Sequence, residues 1–187
     1  MADLTPLPRS GFREMPWANG LGTTREIAID PEPGAGGAPF RWRLSMADLA
    51  GPGPFSELPG VERILVLLAG EGVVLHVEGR PPAPLGRHDA IAFPGDAPTH
   101  LEMPPGPGRD LNLMWDRARA AGRVDVLAAG ATLALDAPLA FAVAIGGPAR
   151  VEVDGAAVEL GAEDALRIDG GRDLAVHAGD LYVARVG

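Results

Sequence analysis

The residues in this sequence with side chains suited to chemistry are four histidines, a few arginines placed among apolar residues, and one polar loop. His76, His88, His100 and His177 are spread over both halves and none forms a His-x-His pair. An octahedral metal needs several imidazole and carboxylate ligands from one face, so no metal and no cofactor is expected. His100 follows the turn Pro94-Gly95-Asp96 and reads as a loop or cavity-lining hydrogen bonder. His76 alternates with Val74 and Glu78 and should point away from the apolar side of its strand, while His88 and His177 read as surface. The chain has no cysteine, which excludes disulfides, thiolate nucleophiles and thiolate-held metals. It has no lysine for a glycine-rich phosphate loop. It also lacks Gly-x-Ser-x-Gly, and neither Ser45 nor Ser56 has a histidine nearby, so a serine hydrolase finds no local support.

Arg43 and Arg63 fall on predicted strands, and Arg63 leads an apolar run where an unpaired charge is expensive to bury. Facing inward, the two would form a carboxylate clamp, because a guanidinium offers bidentate hydrogen bonds. Facing outward, they would be solvated or paired with Glu62 and Glu57. Ser45 shares the polar face of its strand with Arg43. Asp110, Asn112 and Met114 share one face of a later strand and Leu111, Leu113 and Trp115 the other, so Asn112 could look into the same space. The segment from Asn19 to Glu26 sets Gly20 and Gly22 among Asn19, Thr23, Thr24, Arg25 and Glu26. It could clasp a small polar ligand, or it could be a turn before a threonine-rich strand.

Many short strands must position these groups. Gly 26 and Pro 19 in 187 residues are high counts for such a chain, and such punctuation favours a sandwich or barrel over long helices. Trp42, Leu44 and Met46 alternate with Arg41, Arg43 and Ser45 as in a half-buried strand. The run from Ile64 to Gly79 reads as two strands of a β-hairpin around a glycine-containing loop. A strand is predicted at Ala90–Phe93, a turn at Pro94–Asp96 and another strand through Leu111–Trp115. Residues after Asp116 could open as a helical turn that Gly122 cuts short.

The sequence also echoes itself. LLAGEGVVLHVEG followed by LGRHDAIAFPG is matched later by AIGGPARVEVDG followed by LGAEDALRIDG. Two copies of one β-module are implied. In each Gly-x-x-Asp-Ala, Gly86 or Gly161 is expected at positive φ, with the carboxylate of Asp89 or Asp164 accepting backbone N–H groups.

A formal charge of −9 and the lack of a basic cluster argue against nucleic acid. No apolar run is long enough for a membrane span, and MADLTPLPRSGF lacks a signal-peptide core. A cytoplasmic protein is expected.

The strand, glycine turn, strand, Leu-Gly-x-x-Asp-Ala and strand order resembles the repeating unit of the cupin barrel, and its duplication resembles a bicupin. Met15-Pro16-Trp17-Ala18-Asn19-Gly20-Leu21-Gly22-Thr23-Thr24-Arg25-Glu26-Ile27 resembles the N-terminal signature of the HutD/Ves family. The resemblance continues through Trp42-Arg43-Leu44-Ser45, Gly53-Pro54-Phe55-Ser56, Pro59-Gly60, Arg63, Phe93-Pro94-Gly95-Asp96 and Leu111-Asn112-Leu113-Met114, about two thirds of the chain. The family signature has Lys where Ala18 stands and Gly where Leu21 stands. The resemblance favours the ligand-clasp reading of the loop. It implies an all-β double cupin, with an N-terminal barrel over residues 1–120 and a smaller one over residues 121–187 packed as one unit. It also implies a bicupin of histidine utilisation that senses or buffers an intermediate such as urocanate or a formylated glutamate, with no catalytic reaction to carry over.

On this reading Asn19, Thr23, Thr24, Arg25, Glu26, Arg43, Ser45, Arg63, His100 and Asn112 surround a cavity for a small polar or carboxylate metabolite. Two other readings are a metal-independent isomerase or hydrolase of a small amide or imidazole metabolite, with Glu26 or His100 as base, and an interaction module or homodimer joined through sheet edges.

Overall fold

The computed structural model describes residues 2–17, 20 and 22–187. Among them are seventeen strands, one 3-10 turn at Arg9–Gly11 and no α-helix. In chain order the strands are β1 (Asp3–Leu7), β2 (Arg13–Pro16), β3 (Gly22–Asp30), β4 (Trp42–Leu49), β5 (Gly53–Pro54), β6 (Val61–Ala69), β7 (Val73–Val77), β8 (Ala83–Leu85) and β9 (Ala90–Pro94). Then follow β10 (Thr99–Glu102), β11 (Gly108–Asp116), β12 (Gly122–Leu127), β13 (Thr132–Ala134), β14 (Leu139–Val153), β15 (Ala156–Leu160), β16 (Ala165–Asp169) and β17 (Asp173–Val186). All pairings between them are antiparallel.

The chain divides into two compact units, residues 13–121 and residues 1–12 with 122–187. The opening strand therefore belongs with the C-terminal unit rather than with the N-terminal barrel where the sequence places it. The reason is β1, which pairs along its whole length with β16, from Asp3 opposite Asp169 to Leu7 opposite Ala165.

The unit over residues 13–121 is a sandwich of a six-stranded sheet, β2-β3-β4-β11-β6-β9, and a four-stranded sheet, β5-β10-β7-β8. Leu49, Leu65, Leu67 and Phe93 from the first sheet pack with Val73, Leu75, Leu85 and Leu101 from the second. The expected hairpin over residues 64–79 does not form. Both strands are present, but β6 pairs with β9 and β11 whereas β7 pairs with β8 and β10. Gly70 and Gly72, both at positive φ, carry the chain from one sheet to the other.

Nor is β4 half-buried. Trp42, Leu44 and Met46 are buried on one face, and Ser45 and Ala47 are buried on the other. Alternation of polar and apolar residues here marks two covered faces of different character, not water on one side.

The second unit repeats the pairing scheme with longer strands. The front of β14 pairs with β16 and the end of β17, as β6 does with β9 and β11. The back of β14 pairs with β15 and the front of β17, as β7 does with β8 and β10. The turns agree atom by atom. The Gly86 N–H donates to Asp89 Oδ2 at 2.8 Å and the Gly161 N–H to Asp164 Oδ2 at 3.0 Å. The residue between, His88 or Glu163, donates its N–H to Leu67 or Ala144.

Positive φ falls at His88 and Glu163, not at Gly86 and Gly161 as the sequence suggests. Glycine is needed for another reason: a Cβ on Gly161 would lie 2.7 Å from Asp164 Oδ2, where the carboxylate folds back onto the backbone. After Asp116 the chain makes a single turn, in which the Ala120 N–H donates to Asp116 O at 3.0 Å as in one turn of helix, before entering β12 at Gly122.

Candidate functional site

Between the sheets of the residue 13–121 unit lies a cavity of about 430 Å³, within the size range of small-molecule sites. Its walls follow from strand parity. On β4, Arg43, Ser45 and Ala47 share the inner face, and on β11 Asp110, Asn112 and Met114 do. Register places Ser45 opposite Asn112 and Asn112 opposite Leu65, so Arg63 comes alongside from β6. Trp17 and Thr24 line it near β3, where Trp17 Nε1 donates to Thr24 Oγ1 at 2.8 Å. Phe55 and Ser56 complete the wall just beyond β5.

Arg63 is the dominant group. It is 5% exposed, and its guanidinium carbon sits 4.7 Å from the Phe55 ring centre and 5.1 Å from that of Phe93. Those rings meet edge to face at 6.3 Å, so the cation rests against aromatic faces that stabilise it. Arg63 Nη2 donates to Asn112 Oδ1 at 2.9 Å, and Asn112 Nδ2 donates to Asp110 Oδ1 at 2.8 Å. Asp110 is fully buried. Among the described residues Arg63 Nε and Asp110 Oδ2 are buried without a hydrogen-bond partner, an arrangement folded proteins rarely leave in place without a reason.

Burial pushes the Asp110 carboxyl up to about 7, against the opposing pull of Arg63 and the hydrogen bond from Asn112. Burial also lowers Arg63 to about 10, with Asp110 opposing and Arg43 adding to the effect. Arg43 is held differently, its Nε donating to Glu26 Oε2 at 2.8 Å and its Nη2 reaching Met15 Sδ at 3.7 Å.

The other copy of the module provides an internal comparison. Arg63 pairs with Phe93 across β6 and β9, and the matching pair across β14 and β16 is Ala140 with Ile168. By the same register Asp110, opposite Leu67, corresponds to Leu181, opposite Ala144. Asn112, opposite Leu65, corresponds to Val183, opposite Ala142. Ala140, Ile168, Leu181 and Val183 belong to one apolar core. This module therefore folds without the Arg63, Asn112 and Asp110 chain.

Of the residues expected at the site, Thr24, Arg43, Ser45, Arg63 and Asn112 line the cavity. Glu26 stands behind Arg43 as its ion-pair partner. Thr23 and Arg25 have the opposite parity on β3 and leave the cavity. Thr23 lines a separate groove, and Arg25 lies in an ion-pair ladder with Glu14 at 2.9 Å and Asp48 at 2.5 Å, Asp48 also meeting Arg109 at 2.6 Å. His100 is not at the cavity either. On β10, Thr99 and Leu101 point inward, and His100 is exposed opposite His76, itself 3.0 Å from Glu102. Asn19 lies outside the described residues, as do Ala18 and Leu21. Among the described residues no group of three metal-ligating side chains is close enough to hold an ion.

Sequence reasoning missed Asp110, Trp17, Phe55 and Phe93 as members of the site. Asp110 carried a signal, since it shares the face of Asn112 on a strand of apolar residues.

The HutD family model matches residues 9–183. The chain is similar to an uncharacterized 21.2 kDa protein of the hutC 3′ region of Pseudomonas putida, 35% identical over 93% of this chain and 91% of that one. It is also similar to protein Ves of Citrobacter koseri, 40% identical over 62% of this chain and 61% of that one. Among solved structures, HutD from Pseudomonas fluorescens SBW25, described for a formate condition, superposes with a TM-score of 0.84 at 28% identity, covering 98% of both chains. A cupin 2 conserved barrel domain protein from Leptotrichia buccalis, 11% identical and covering 88% of both chains, shares the fold with a TM-score of 0.56.

Proposed function

Because this chain belongs to the HutD family, we propose that it binds a small carboxylate metabolite in the cavity of its residue 13–121 unit, and that the ligand is an intermediate of histidine utilisation met in the cytoplasm. The observation that carries this reading is Arg63, a buried cation with only Nη2 hydrogen-bonded among the described residues, set at a cavity where the duplicated module has Ala140. Burying such a charge without full pairing costs several kcal/mol, and an anionic guest would supply the missing partner. Ser45, Ser56, Thr24 and Asn112 add hydrogen-bonding groups around it. The hutC region named for the Pseudomonas putida relative, and the formate condition named for the Pseudomonas fluorescens structure, support the metabolic setting and the carboxylate chemistry.

The test is thermal unfolding of the purified protein against histidine, urocanate, formiminoglutamate, formylglutamate, formate and divalent metals. A ligand at one hundred times its dissociation constant adds about 2.7 kcal/mol of stability, so one organic acid should raise the midpoint by several degrees. Arg63→Ala should abolish that rise. An unchanged rise in Arg63→Ala would refute the clamp, and a rise with metal alone would refute the ligand class.

A further inference from the structure

This inference rests on the carboxylate reading and concerns what happens to charge when the guest arrives. Among the protein's own groups at the cavity the charges balance. Arg63 is bridged to Asp110 by Asn112, and Arg43 is paired with Glu26. A carboxylate placed on Arg63 adds a second negative charge close to Asp110, where neither group has bulk water around it. Two carboxylates sharing such a site do not both stay ionised. We propose that the cavity admits its anion together with one proton, and that Asp110 receives the proton.

The charged groups acting on Asp110 are Arg63 from β6 and Asp48 from β4. β9 contributes Phe93 beside Arg63, and the segment around β5 contributes Pro54, Phe55 and Ser56, none of which titrates near neutrality. The proton comes from solvent and forms an O–H bond at Oδ2. Among the described residues that atom has no partner within hydrogen-bond distance, while Oδ1 keeps Asn112. Once neutral, Asp110 no longer offsets the charge of Arg63, and the whole of that charge is available to the guest. The proton affinity suits the exchange, since burial pushes the Asp110 carboxyl up to about 7 and a neighbouring anion raises it further. Below that pH the proton is already in place and binding draws none from solvent. Above it, affinity falls by up to about tenfold per pH unit.

Formate and glutarate are suitable probes because neither titrates above about pH 6. Each is added, at matched pH, to concentrated protein in a pH-stat, and its dissociation constant is taken from unfolding midpoints at about pH 6 and about pH 8. The expected result is uptake of about one proton per bound anion at the higher pH, almost none at the lower, and weaker binding at the higher pH. Asp110→Asn should remove both the proton uptake and the pH dependence of the dissociation constant. Asp110→Leu, which copies Leu181 of the other module, serves if the amide variant folds poorly. Binding with no proton uptake at about pH 8 would overturn the proposal and leave the carboxylate site standing. No binding of either anion at any pH would overturn both.

Discussion

At the scale of single residues, Arg63 and Asp110 are held where an apolar pair would be more comfortable. Replacing a buried ion pair by well-packed apolar residues is often neutral or stabilising by about 1–4 kcal/mol, and the second module already has Ala140 and Leu181 at the matching positions. The double replacement Arg63→Met with Asp110→Leu should therefore raise the urea midpoint, or leave it unchanged, while eliminating the thermal shift given by carboxylates. A loss of several kcal/mol would instead show that the pair serves the fold. Arg63 was legible in the sequence, because a charge at the head of an apolar run must be paid for. Asp110 was only half legible, since alternation places it with Asn112 without saying whether that face looks inward. His100 was misleading, because its position after Pro94-Gly95-Asp96 says nothing about parity on β10, and parity sends Thr99 inward instead.

At the scale of elements, the Gly-x-x-Asp-Ala turn shows why a motif can be read correctly for the wrong atom. The carboxylate does accept the glycine N–H, yet the left-handed residue is His88 or Glu163, and the glycine is required because the carboxylate packs on its Cα. Asp164 also accepts the Arg9 N–H at 2.8 Å, which ties the segment after β1 to the turn before β16. Asp164→Ala removes both bonds. At about 1 kcal/mol for each net hydrogen bond, it should lower stability by about 1–2 kcal/mol in urea unfolding. Asp89→Ala, which loses the one matching turn bond, should cost about half as much. Strands were found from periodicity, but their partners were not. The two runs around Gly70 and Gly72 look like a hairpin because they are close in sequence, whereas their apolar faces are buried from opposite sheets of one sandwich.

At the scale of the molecule, duplication was visible because turn residues repeat with their spacing, and divergence was visible only once register aligned Arg63 with Ala140 and Asn112 with Val183. The membership of β1 could not be read from sequence, since nothing in Asp3–Leu7 names a partner more than 150 residues away. Deleting residues 2–8 should uncover the edge of β16 and lower the unfolding midpoint reported by Tyr182, buried on β17. It should leave carboxylate binding by the residue 13–121 unit intact, and loss of that binding would show that the division misplaces the site.

The same pairing sets an order of events on the ribosome. β1 is made first, but β16 is almost the last strand to leave the exit tunnel. Residues 13–121, and with them every cavity group described above, are complete well before then, and domains tend to fold as units during synthesis. A nascent chain arrested once residues 13–121 have all emerged from the tunnel, but before β16 has, should already possess a carboxylate site while its leading strand still waits for a partner.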